Sequence, residues 1–205
     1  MPAEGFVFCS FNNNYKIAPE MFEVWMRLLK AVSGSVLWLL EANFFASTNL
    51  CREAETRGVA AERLVFAPRL PLPEHLARHR LADLFLDTFP VNAHTTASDA
   101  LWAGCPLLTL AGETFVSRVA GSLLRAIGLP ELIATSLEDY EATALRLARN
   151  PGQLAALRAR LEANRTTCGL FDGEQFARNL EQAYATMWEI HASGEKPRAF
   201  AVGPT

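Results

Sequence analysis

What most restricts the fold of this chain is a series of short, nearly uninterrupted apolar runs: Gly5–Ser10 (GFVFCS), Val36–Leu40 (VLWLL), Arg63–Ala67 (RLVFA), Asp83–Asp87 (DLFLD) and Pro106–Leu110 (PLLTL). A strand with one wet face alternates apolar and polar residues, so runs of this kind predict parallel strands covered on both faces. Helical patterns lie between them. Pro19 suits a first helical position, and Phe22, Trp25, Leu29 and Val32 continue an apolar stripe. Further helices are expected at Asn49–Arg57, stopped by Gly58, at Glu74–His79, at Thr95–Ala103, and at Thr114–Ile127, stopped by Gly128. Such alternation predicts a right-handed, doubly wound parallel sheet, an α/β Rossmann-like domain.

After Gly128 the strand signal weakens to one candidate, Glu131–Ala134, and C-terminal helices follow at Leu137–Ala148, Pro151–Ala163 and Gly173–His191. In the last of these Phe176, Leu180, Tyr184, Met187 and Trp188 recur at helical spacing, which predicts one buried face. No repeat, low-complexity tract or linker interrupts the chain. Residues 1–192 are therefore expected to form one domain, and residues 193–205, with two prolines and two glycines, a flexible tail. The first strand begins almost directly after Met1, the pattern expected at an internal boundary of a longer protein.

Composition sets aside several classes. With 19 basic and 22 acidic residues the net charge is −3, which gives no general field for nucleic acid. The apolar stretches are too short to span a bilayer, and the N-terminus lacks the basic-then-apolar order of a signal peptide. A cytoplasmic location and no membrane partner are expected. Cys9, Cys51, Cys105 and Cys168 show no CxxC pair or metal-ligand spacing and are expected to be reduced and structural.

Ligands of open α/β sheets bind beyond the carboxyl ends of the strands, and three loops there carry polar residues that packing does not require. The first is Asn12-Asn13-Asn14-Tyr15-Lys16, where amides and one compact cation suit a phosphate; a solvated loop reads equally well. The second is Glu74-His75-Leu76-Ala77-Arg78-His79-Arg80. His75 and His79 share a helical face but lack the acidic partner of an HExxH metal site. His75 and Arg78, three apart, suit a flat nucleobase, and an exposed basic helix reads equally well. The third is Asn92-Ala93-His94-Thr95-Thr96-Ala97-Ser98-Asp99. Free N–H groups at a helix start form an anion site, to which Thr95 and Thr96 add hydroxyls, and Asp99 suits ribose hydroxyls. Thr96 with Asp99 also forms a capping-box pattern, which leaves His94 unexplained. No GxGxxG, P-loop or GxSxG motif is present. From the residues alone, the chain is expected to bind a nucleotide diphosphate with a helix N-terminus and one lysine.

FNNNYKI (11–17), SVLWLL (35–40), EHLARHRLADLFLDT (74–88) and NAHTTASDALWAGCPLLTLAGETFVSRVA (92–120) resemble the carboxyl-terminal catalytic lobe of O-GlcNAc transferase and its SPINDLY-like relatives, in order and over nearly the whole chain. The resemblance implies the second lobe of a two-lobed GT-B glycosyltransferase, inverting, without a metal or other cofactor. Its donor is implied to be a UDP-sugar, UDP-GlcNAc foremost, and its acceptor a protein serine or threonine. It further implies that Lys16 contacts the diphosphate and stabilises departing UDP, with Asn13 beside it where the animal enzyme has glutamine. His75 and Arg78 hold the uracil with backbone near Leu70, Thr95 and Thr96 bind phosphate next to His94, and Asp99 holds the ribose. One departure is Leu72, which stands where the animal enzyme has a ribose-binding lysine; some plant relatives use GDP-fucose, so a GDP-sugar stays open. Family members carry tetratricopeptide (TPR) repeats and an amino-terminal catalytic lobe ahead of this part, so this lobe alone is expected to be inactive. The helix at Gly173–His191 is expected to pack partly against the absent lobe, leaving an apolar patch exposed on this one alone. The rival readings are a nucleotide-sugar epimerase lobe, a non-catalytic nucleotide-sugar sensor and a protein-contact domain.

Overall fold

The computed structural model describes residues 5–202. Six strands form one sheet: β1 (Val7–Ser10), β2 (Val36–Leu40), β3 (Leu64–Ala67), β4 (Leu84–Leu86), β5 (Leu107–Leu110) and β6 (Ile133–Ala134), in the order β3-β2-β1-β4-β5-β6. Every neighbouring pair is parallel. This is the doubly wound order, and its direction reverses between β1 and β4. The apolar runs sit where their composition requires: every side chain of β1, β4 and β5 is buried.

Eight α-helices cover the sheet and extend it: α1 (Pro19–Ala31), α2 (Phe44–Thr56), α3 (Leu72–Arg78), α4 (Thr95–Trp102), α5 (Val119–Ala126), α6 (Leu137–Arg149), α7 (Pro151–Arg165) and α8 (Gly173–Ala192). Helix α1 buries Met21, Phe22, Val24, Trp25, Met26, Leu28 and Leu29, a face wider than the stripe in the sequence. Trp25 Nε1 donates to the Tyr140 hydroxyl at 3.4 Å, and that hydroxyl donates to the Asp87 carbonyl at 3.0 Å. A buried polar chain thus ties α1 and α6 to the end of β4.

Four expectations change. Helix α2 begins at Phe44, earlier than expected, because Asn43 caps it by accepting from the Ala46 N–H at 2.9 Å. Helix α3 begins at Leu72 and gives way to a 3-10 turn at His79–Leu81. The stretch 114–127 is two elements: Thr114 and Ser117 form a capping box on a 3-10 turn, and α5 starts only at Val119. Gly112 permits that turn, since a Cβ there would stand 2.5 Å from Ser117 Oγ and 2.9 Å from the Phe89 ring.

The fourth change is the largest. The buried face expected for α8 is absent: Phe176 is 66% exposed, Tyr184 60%, Met187 51% and Trp188 69%, and Ile190 is the one residue of the helix that is buried. The sheet and its covering helices end before α8, so its apolar stripe has no layer to meet. Periodicity reports that a stripe exists, not what covers it. Residues 195–202 have no regular structure, and Pro197 and Phe200 line a cavity of about 370 Å³ with Met187 and Ile190. All four cysteines are free, Cys9 and Cys105 buried in the sheet region. No helix of the described residues is long and apolar enough to cross a membrane.

Candidate nucleotide-binding site

The loops after β1 and β4 flank the point where strand order reverses, the place where open α/β sheets take ligands. Asn12 is buried there and joins the two loops. Its Nδ2 donates to Asp87 Oδ1 and to Thr88 Oγ1, each at 3.1 Å, and its Oδ1 accepts from the Thr96 hydroxyl at 2.8 Å. Lys16 lies in the 3-10 turn that follows β1, and its Nζ donates to the Asn92 carbonyl at 2.9 Å. No ion pair among the described residues involves Lys16. Burial lowers its pKa, and the Asp87 charge works in the opposite direction. The ammonium therefore stands half-buried and un-neutralised beside the start of α4.

That helix start is open. No side chain caps α4; its N-cap is His94, at φ −113° and ψ −90°, and the first N–H groups of a helix have no intrahelical acceptor. The capping box written as Thr96 with Asp99 does not form, because the Thr96 hydroxyl is turned to Asn12. Thr95 is exposed. His94 Nε2 is buried without a partner, and its ring meets Phe115 edge-on at 6.1 Å.

The second cluster grows from Phe11, one residue before Asn12. Its ring lies 5.6 Å from His75 and 5.0 Å from His79, and the Arg78 guanidinium sits over it at 5.2 Å. Arg78 Nη1 donates to the Pro68 carbonyl at 2.9 Å, while Nε and Nη2 are buried without partners. Unspent donors of a buried guanidinium call for an acceptor, since leaving them unmet costs about 1–3 kcal/mol or more. Burial lowers the pKa of His75, with the Arg78 charge adding to this and Asp99 opposing it. Asp99 is raised by burial and pulled down by His75. The charges of the two groups thus act on one another from α3 and α4. His79, fully buried, bonds the His75 carbonyl through Nδ1 at 2.9 Å and is held down to about 4 by burial.

The structure therefore gathers Lys16, Thr96 and the α4 start on one side of the Phe11–Asn12 joint, and His75, Arg78 and Asp99 on the other. Asn13 is half-buried with no side-chain hydrogen bond to the turn it precedes. Leu70 is 44% exposed and Leu72 59% exposed, both between β3 and the body of α3. Among the described residues no three His, Cys, Asp or Glu side chains gather as a metal site. The sequence reading missed Asp87 as a member. It is fully buried, and burial pushes its carboxyl up to about 6 against four hydrogen bonds that pull the other way. The available signal was a carboxylate closing an apolar strand directly ahead of a polar loop.

Fold and crevice together define the class: a Rossmann-like α/β lobe of the GT-B kind. The profile of glycosyl transferase family 41 matches residues 1–180. The chain is 42% identical over 203 residues to a probable UDP-N-acetylglucosamine–peptide N-acetylglucosaminyltransferase, SEC, of Arabidopsis thaliana, a match covering 98% of this chain and 21% of the relative. It is 38% identical to the UDP-N-acetylglucosamine–peptide N-acetylglucosaminyltransferase of Caenorhabditis elegans, over 95% of this chain and 17% of that one. Its structure superposes on a mutant O-GlcNAc transferase of Thermobaculum terrenum with a TM-score of 0.85 at 38% identity, covering 92% of this chain and 37% of the other. A sucrose-phosphate synthase of Thermosynechococcus elongatus, at 16% identity and a TM-score of 0.65, shares the fold over 92% of this chain and 47% of its own. The chain belongs to glycosyl transferase family 41. It spans about a fifth of the length of these two curated relatives.

Proposed function

We propose that this chain is the donor-binding lobe of a transferase that moves a sugar, GlcNAc from UDP-GlcNAc foremost, to a protein serine or threonine. The observation that carries the reading is the un-neutralised Lys16 ammonium beside the uncapped start of α4. Breaking a sugar–phosphate bond leaves negative charge on the diphosphate. A fixed cation and the positive end of a helix are groups that stabilise such charge without rearranging. In this reading Thr95, Thr96 and His94 border the phosphates, Asp99 takes the ribose, and the free donors of Arg78 with His75 take the acceptor edge of the base near Leu70.

The test is calorimetric titration of the chain with UDP, GDP and NAD, repeated with Lys16→Ala and Asp99→Ala. The expected result is binding of UDP in preference to GDP and NAD, weakened about tenfold or more by each substitution. Preference for GDP moves the donor to a GDP-sugar and points to Leu72, which supplies no ribose contact. Binding unaffected by either substitution removes the site assignment.

A further inference from the structure

Asp87 touches none of the positions assigned above to donor, yet both loops of the crevice converge on it. Its Oδ1 accepts from the Thr88 N–H and the Ala93 N–H, each at 2.7 Å, and from Asn12 Nδ2 at 3.1 Å. Its Oδ2 accepts from the Thr109 hydroxyl of β5 at 2.7 Å. The bonds from Asn12 Nδ2 to Asp87 Oδ1 and Thr88 Oγ1 hold the donor side of Asn12 inward, so its carbonyl faces Thr96, which donates to it. The β4 loop is closed on the same atom through Ala93, two residues ahead of α4. Asn92 continues the clasp, donating from Nδ2 to the Thr88 and Leu110 carbonyls at 2.9 and 3.2 Å, while its own carbonyl receives Lys16.

We propose that Asp87 is the positioning residue of the diphosphate cradle, acting through the hydrogen bonds its Oδ1 accepts, which hold the Lys16 loop and the start of α4 in one fixed relation. The inference rests on the donor reading given above. An oxygen at Oδ1 is what the clasp requires; the second oxygen meets only Thr109. Asparagine meets that requirement, keeping a carbonyl oxygen for Thr88, Ala93 and Asn12 and turning its amide to the Thr109 oxygen. Alanine takes the acceptor from the Thr88 and Ala93 N–H groups and the Thr109 hydroxyl, and leaves Asn12 Nδ2 only its bond to Thr88 Oγ1.

The experiment is UDP titration of the wild-type chain, Asp87→Asn and Asp87→Ala, each with a thermal melt to show that it is folded at the titration temperature. Asp87→Asn is expected to keep UDP affinity within about threefold and Asp87→Ala to lose about tenfold or more. If the alanine variant does not fold, Asn12→Ala cuts the clasp from the β1 side and is expected to weaken UDP about tenfold. Unchanged UDP affinity in a folded Asp87→Ala or in Asn12→Ala overturns the proposal, as does a large loss in Asp87→Asn, which would put the charge rather than Oδ1 in control. A wild-type chain that binds no UDP instead removes the donor reading, and this inference with it.

Discussion

Asp87 and His79 are buried ionisable groups whose effects on stability run in opposite directions with pH. Burial raises Asp87 from 3.8 to about 6, so folding favours its protonated form. Its contribution is full below the unfolded value and is lost as pH rises through about 6. Burial lowers His79 from 6.5 to about 4, so folding favours the neutral ring; that contribution is full above the unfolded value and is lost as pH falls through about 4. Each displacement corresponds to roughly 3 kcal/mol, and in the wild type the two largely offset each other. Asp87→Asn removes the first alone. Urea unfolding of both chains between about pH 4 and 7 is expected to show the variant gaining on the wild type by roughly 3 kcal/mol as pH rises. A constant difference across that range would show that Asp87 does not titrate there. At this scale the sequence exposed Lys16, His75 and Asp99, which are partly exposed, and the buried Arg78, because polar residues in the loops and helix starts after strands stand out. It hid Asp87, and it offered Asn12 only as one amide of a polar loop, since their mutual hydrogen bond spans 75 residues of chain.

At the scale of elements, composition located the strands well, since a strand buried on both faces has no choice but to be apolar. Helix limits were less legible. Asn43 is a good cap, but Phe44 and Phe45 after it look like core residues and are in fact 74% and 75% exposed. Helix α8 shows the same effect at full length, and its consequence is measurable. Trp25 is completely buried, whereas Trp188 is 69% exposed. Trp25→Ala is expected to cost about 3–5 kcal/mol in urea unfolding. Trp188→Ser is expected to stay within about 0.5 kcal/mol of the wild type. A cost for Trp188→Ser of the Trp25 order would mean that something covers α8 in solution.

At the scale of the molecule, the chain matches 37% of the Thermobaculum terrenum chain, and the function proposed above draws on a second lobe across the crevice. The chain alone is expected to bind UDP and to transfer no sugar from radiolabelled UDP-GlcNAc to peptide or protein; measurable transfer would show that one lobe suffices. The strand order carries a separate consequence, for how the molecule comes into being. Strand β1 emerges from synthesis first yet lies at the centre, and its second neighbour follows 76 residues later, as in the bond from the Val7 N–H to Asp83. The pairing of β1 with β4 is therefore a long-range contact, of the kind whose loop closure slows folding. The crevice lies on the seam between the two halves. On the donor reading proposed above, a nucleotide draws on residues from both halves of the sheet, so UDP is expected to stabilise the completed fold and neither half alone.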